Sequence, residues 1–141
     1  MNDLSIYQEK ILNLAADNKK SNAIEDYNRS AEVKNPMCGD EVKVRIKLID
    51  KQIDKISATV RGCALCEASA GLVVKLFEKN EMPSKSFTSD FKKWLDSSDQ
   101  KFPETLPNEI SIFKPIKEIK NRHKCITMPF EATIDSIIDD L

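Results

Sequence analysis

Two runs of alternating residues constrain this chain more than any other feature. Val42, Val44, Ile46 and Leu48 alternate with Glu41, Lys43, Arg45 and Lys47, and Ile56, Ala58 and Val60 repeat the pattern shortly afterwards. A period of two sends successive side chains to opposite faces of a β-strand. Asp50-Lys51-Gln52 reads as the turn between them, so the two strands pair antiparallel and present one apolar face. Such a face must be covered. Residues 64–79 carry Leu65, Ala68, Leu72, Val73, Leu76 and Phe77 at helical spacing and are the natural cover. The opposite face carries the basic stripe Lys43, Arg45 and Lys47, read as a solvated surface or a docking surface.

Further helices flank this hairpin. Leu4, Tyr7, Ile11, Leu14 and Ala15 share one face of a helix over residues 3–16 that ends near Asp17-Asn18. Residues 18–34 are polar and weakly patterned, which predicts a surface loop with a short strand near 31–34. Phe87, Phe91, Trp94 and Leu95 predict a helix over about 84–97. Residues 101–108, with their prolines, read as a loop. Ile110, Phe113, Ile116 and Ile119 predict a short helix interrupted by Pro115. A last helix turns Phe130, Ile134, Ile137 and Ile138 inward, with Thr127 as its cap and Pro129 in its first turn. The expected fold class is α+β in a single domain spanning residues 1–141.

A chain of 141 residues buries roughly two thirds of its unfolded surface, so it needs neither metal nor disulfides to hold a core. The apolar fraction of 40% and charged fraction of 32% suit a soluble globular protein. A net charge of −1 argues against a general nucleic-acid or membrane-surface binder. No apolar run approaches the ~20 residues that span a bilayer. The opening MNDLSIYQEK has no basic segment followed by an apolar core, which predicts a cytoplasmic protein with reduced thiols. Its four cysteines are then ligands, reactive groups or buried fillers rather than disulfide partners.

Three of the four cysteines sit at junctions. Cys38 lies in Asn35-Pro36-Met37-Cys38-Gly39-Asp40 just before the first strand. Cys63 lies between the second strand and the following helix, and Cys125 at the start of the last one. Helix N-termini favour the thiolate, the form that binds metal or attacks sulfur. Three thiolates with Asp40 make a tetrahedral set acceptable to zinc, or an anchor for an iron–sulfur cluster. Cys66 completes a C-x-x-C with Cys63, which leaves a second reading open, a dithiol oxidoreductase using that pair. Cys66 one turn into a helix also suits an ordinary buried cysteine. His123, the only histidine, is a possible ligand or proton shuttle.

The motifs NPMCGD, RGCALCEAS and RHKC, in this order, resemble the IscU/SufU group of NifU N-terminal-like iron–sulfur cluster assembly proteins. The resemblance spans nearly the whole chain. It is closer to SufU, because an insertion of the SufU kind separates Cys63 from Cys125 and Lys124 stands where IscU-type proteins have histidine. Arg122 likewise resembles the arginine three residues before the third cysteine of SufU-like proteins. The resemblance implies a three-stranded antiparallel sheet packed against about four to five helices. It matches Cys38, Asp40, Cys63 and Cys125 to positions that bind zinc, iron or a transient iron–sulfur cluster. It implies a SufS-like cysteine desulfurase as sulfur donor, Cys38 and Cys125 as candidate persulfide acceptors, and apoproteins as recipients. The chain departs from the pattern twice. Cys66 is an extra thiol, able to supplement or replace Asp40 as a ligand, and His123 is displaced by one position.

Overall fold

The computed structural model describes residues 3–98 and 101–141, with side chains from residue 7 onward. The first helix, α1, spans Asp3–Lys20. Three strands follow: β1 (Arg29–Lys34), β2 (Glu41–Ile49) and β3 (Gln52–Arg61). Then come α2 (Ala64–Phe77), β4 (Asn80–Glu81) and α3 (Phe87–Asp96). A 3₁₀ helix over Asn108–Glu118 and a short one over Lys120–Arg122 lead into α4 (His123–Ser136), and a last 3₁₀ turn covers Ile138–Asp140.

The sheet is antiparallel throughout, in the order β1-β2-β3-β4. It has four strands rather than the expected three. The extra one is the two-residue β4, whose Asn80 and Glu81 pair with Ile53 and Gln52. Nothing in so short a segment has a period to read. The hairpin turn is tight because Asp50 and Lys51 both take positive φ (51° and 64°), the twist that two-residue hairpin loops require. A register shift between Lys47 and Leu48 leaves Asp54 as the extra residue of β3. Ile53 therefore shares the buried face of Ile56 and Ala58.

Val42, Val44, Ile46, Ile53, Ile56 and Ala58 line the covered face, and all are buried. α2 and α4 lie on that face and on each other, and α1 packs against α2. The α1–α2 approach is close at Gly71, where an added Cβ would lie 2.8 Å from the Leu14 carbonyl oxygen. Ile11 and Ala15 face inward as expected, α1 runs to Lys20, and the side chain of Leu4 lies outside the described residues. On the sheet's other face Arg45 and Lys47 of the basic stripe hold down the loop over residues 21–28. Arg45 donates to the Ile24 carbonyl at 3.1 Å and lies over the Tyr27 ring, and Lys47 pairs with Asp26 at 3.1 Å.

The segment between α2 and α4 docks through aromatic rings. Phe87, Phe91 and Phe77 surround Phe130 of α4 at centroid distances of 5.1, 5.4 and 6.0 Å, and Phe113 meets Phe91. Ile110, Phe113 and Ile116 recur every three residues, so they fall on one side of a 3₁₀ helix, and all are buried. This geometry also absorbs Pro115. Ile119, expected inward, is 44% exposed because the helix ends at Glu118.

The last helix starts earlier than expected. His123 is its first residue, so Thr127 is buried one turn inside it rather than capping it, and Pro129 lies beyond the first turn. Pro129 has no N–H to return to the Cys125 carbonyl four residues back, which loosens the helix beside that cysteine. Ile138, also expected inward, is 40% exposed in the final 3₁₀ turn.

Two outcomes follow. Phe130→Ala removes the ring on which α3 and α2 converge and is expected to lower unfolding free energy by about 3–5 kcal/mol in urea titrations. Burial raises the Glu131 carboxyl, but hydrogen bonds from Lys124 and Lys92 outweigh it and hold the group below its ordinary value. A depressed carboxylate contributes stability above its unfolded pKa and loses it as pH falls through the folded one. Glu131→Gln is therefore expected to cost about 1–2 kcal/mol near neutral pH. That cost should begin to shrink as pH falls below the ordinary glutamate value of about 4.3 and be lost only once pH has passed through the lower value of the folded state, as checked by unfolding wild type and variant across pH.

Candidate metal and sulfur site

The site forms at one end of the sheet because three chain segments finish there. Lys34, Glu41 and Arg61 are register partners, so the β1–β2 loop and the exit from β3 are neighbours. The loop is a compact turn. Gly39 N–H donates to the Asn35 carbonyl at 2.7 Å, Asn35 N–H donates to the Asp40 carbonyl at 2.8 Å, and the Asn35 side chain accepts from Met37 N–H. Gly39 has φ +78°, which an L side chain resists. Cys38 before it is exposed, whereas Asp40 after it is 5% exposed.

The ligand atoms of Cys38, Asp40 and Cys125 all lie within 4.8 Å of one another. Cys63 joins through Asp40, with its Sγ 3.4 Å from Oδ2. Cys63 is the N-cap of α2, in extended conformation and making no capping hydrogen bond, so its thiol is turned to the carboxylate instead. Cys125 sits in the first turn of α4 and is 2% exposed. The structure thus brings together the four residues singled out in the sequence, 87 positions apart at their extremes (125 − 38).

Gly62, just past β3, is a member of this site that the sequence pattern did not single out. A Cβ at residue 62 would stand 2.5 Å from Asp40 Oδ1 and 2.6 Å from its Cγ. The buried carboxylate occupies the space any other residue would fill. Only the packing of β3 against the loop reveals this requirement.

Electrostatics mark the cluster as an anion-rich pocket. Burial first, then the negative charge of Cys63 and hydrogen bonds with Cys63 and Asp40, push the Cys125 thiol up to about 12. Arg122 supplies a compensating cation. Its guanidinium is stabilised in the charged form by a hydrogen bond to Cys125 and then by the charges of Cys63 and Asp40. Thiols and a carboxylate crowded this closely lose their mutual repulsion when a cation sits among them.

Cys66 stands apart. It is 0% exposed in the core, and burial, followed by the charges of Asp40, Cys63 and Cys125, drives its thiol well above the ordinary range. It is not within the group that converges on Asp40. His123 also faces elsewhere. Its Nε2 lies 3.0 Å from both the Ile116 and Lys117 carbonyl oxygens, and Nδ1 lies 3.4 Å from Asp96. It pins α4 to the preceding segment. Lys124 turns outward to Glu131 at 2.7 Å. Since β2 and β3 are antiparallel, the C-x-x-C does not follow a βαβ unit of the kind a thioredoxin-like site uses.

No helix among the described residues is long and apolar enough to cross a membrane. Comparison with known proteins gives a consistent picture. The chain is 24% identical over 132 residues to the iron–sulfur cluster assembly scaffold protein IscU of Thermotoga maritima, covering 94% of this chain and 92% of that protein. Its fold is similar to a crystal structure from Fervidobacterium islandicum AW-1, described as a scaffold protein for the SUF system (TM-score 0.75, 23% identity, 96% and 98% coverage). It is also similar to the N-terminal part of a nitrogen-fixing NifU-like protein from Brucella abortus (TM-score 0.77, 22% identity, 94% and 92% coverage). The family model described as NifU-like N terminal domain matches residues 6–126, from α1 through the site to Cys125, and the chain belongs to that family.

Proposed function

We propose that this protein serves iron–sulfur cluster assembly, accepting sulfur from a cysteine desulfurase and holding metal or a nascent cluster through Cys38, Asp40, Cys63 and Cys125. The observation that carries this reading is the convergence of Cys38, Asp40 and Cys125 within 4.8 Å, with Cys63 bonded to the same carboxylate. Three thiolates and one carboxylate suit tetrahedral zinc or cluster iron. Bound zinc would hold the thiols deprotonated and in place. The cluster is cargo, passed on to recipient apoproteins.

Sulfur arrives by thiol exchange. A thiolate of this chain attacks the outer sulfur of the donor's persulfide, a new S–S bond forms, and the donor cysteine leaves as thiolate. Exposure distinguishes the two candidate acceptors. Cys38 is open to a partner protein, whereas Cys125 is 2% exposed. Cys38 is therefore the entry point, on a loop whose tip carries Met37, 92% exposed. Arg122 beside Cys125 balances negative charge as sulfur accumulates. Asp40 is the hardest and most weakly held donor toward a soft metal, which makes it the ligand that lets cargo leave.

Purified protein is expected to carry about one zinc or iron per chain by elemental analysis. Cys38→Ser, Cys63→Ser and Cys125→Ser should each lower that content about tenfold or more, and Asp40→Ala less. With a cysteine desulfurase and L-cysteine, mass spectrometry should find one added sulfur on Cys38 in wild type and none in Cys38→Ser. Full metal content in all three cysteine variants would sink the proposed ligand set. Gly62→Ala tests the cradle separately. It should cost about 1–3 kcal/mol of unfolding free energy, because the new Cβ meets Asp40 Cγ and Cβ as well as Oδ1, and weaken metal retention about tenfold.

A further inference from the structure

Ser69 is a buried hydroxyl outside the ligand set. It lies in α2, 0% exposed, between Ala68 and Ala70, which are equally buried. Packing at this depth asks only for a small side chain, and alanine meets that need on either side. A serine in mid-helix ordinarily returns its hydroxyl to a carbonyl of its own helix, three or four residues back. Ser69 instead donates across the core, to the Ile126 carbonyl of α4 at 2.5 Å. A carbonyl oxygen has two lone pairs, so Ile126 accepts this bond without giving up a helical one. The hydroxyl thus joins the helix that begins after Cys63 to the residue next to Cys125.

The first turn of α4 needs such a tie. Its N-cap, Arg122, makes no side-chain capping hydrogen bond. Pro129 withholds the N–H that the Cys125 carbonyl would otherwise receive. Apolar contacts hold α4 on the sheet and on α2, but the hydrophobic effect has no direction and leaves sliding and rotation open. Metal ligands tolerate only about 0.5 Å of misplacement. A hydrogen bond, with its narrow range of distance and angle, supplies that precision. Ahead of Cys125, His123 Nε2 stands 3.0 Å from the Ile116 and Lys117 carbonyl oxygens. Both are acceptors, so Nε2 carries the proton and donates. Cys125 is thereby bracketed, by the His123 side chain two residues before it and by the Ile126 carbonyl one residue after it.

We propose that Ser69 and His123 are positioning residues of the metal site, which together hold Cys125 where it meets Cys38 and Asp40. This role rests on the ligand set proposed above. Ser69 ties the cysteine to α2 and His123 ties it to the segment that precedes α4. Each acts through the backbone on one side of Cys125. Loss of either leaves every ligand in the chain, yet frees the first turn of α4 to carry the Cys125 thiol away from the others.

The test uses the full chain, reduced and stripped of metal, with cobalt(II) as the probe. Charge-transfer absorption counts the thiolate ligands, the visible bands report their geometry, and competition against a chelator gives the affinity. Ser69→Ala should bind about tenfold more weakly and with altered visible bands, while its metal-free form keeps the circular dichroism of wild type. His123→Ala should do the same, and His123→Gln, which restores an N–H donor, should recover most of the loss. Thr133→Val is the matched control. It removes another buried hydroxyl of α4, one that donates at 2.7 Å to the Pro129 carbonyl within the same helix, and it should bind cobalt as wild type does. Wild-type affinity and bands in Ser69→Ala or in His123→Ala overturn that residue's role and leave the ligand set standing. Equal weakening in Thr133→Val overturns both roles, because any lost buried bond would then have the same effect. Should Ser69→Ala not fold, His123→Ala and its glutamine rescue decide by the same readouts. Cobalt bound by wild type without thiolate charge transfer, or not bound at all, overturns the ligand set and the positioning role together.

Discussion

The apolar face of the β2–β3 hairpin has to be covered, and most of the molecule follows from how α2 and α4 cover it. Both helices lie on the same face and on each other, so their first turns are brought to one end of the sheet. That end is where the β1–β2 loop and the exit from β3 also meet. A hydrophobic requirement thereby gathers three polar junctions, each carrying a cysteine. The aromatic cluster around Phe130 fixes α4 five residues after Cys125, so the long segment between α2 and α4 holds one wall of the site in place. His123 reinforces that anchoring from the other side through two carbonyl oxygens.

The site itself is organised by a buried carboxylate. Asp40 touches Cys63, closes on Cys38 and Cys125, and fills the space left by the missing side chain of Gly62. Crowding anionic groups in a partly dry pocket is unfavourable by itself, as the raised Cys125 thiol records, and Arg122 offsets it only from one side. The favourable partner for such a cluster is a cation or an electrophilic sulfur. Pro129 and Gly39 give the surrounding backbone room to adjust, one by withholding a helix hydrogen bond from Cys125 and the other by its positive φ.

The hairpin, the four α-helices and the inward residues of α3 were legible in the sequence because each has a clear period. Elements without one were not: the two residues of β4 and the start of α4, where Thr127 resembles a cap but is buried inside the helix. The basic stripe of β2 was legible as a surface but not as the strap for residues 21–28, because its partners lie about 20 positions away. Cys38, Asp40, Cys63 and Cys125 were identifiable from their places at element ends. Gly62 was not, since its need arises from a carboxylate 22 positions earlier (62 − 40) that only strand pairing brings against it.

By itself the sequence determined the element types, the apolar faces and the residues with the chemistry to form a site, because period, turn composition and thiol content are local properties. Tertiary structure decided which of those residues meet. It placed Cys38, Asp40 and Cys125 within 4.8 Å, turned His123 away to carbonyl oxygens, and buried Cys66 in the core. The reason is physical. Covering the hairpin's apolar face fixes the helix positions, and those positions fix distances between side chains that no local pattern encodes.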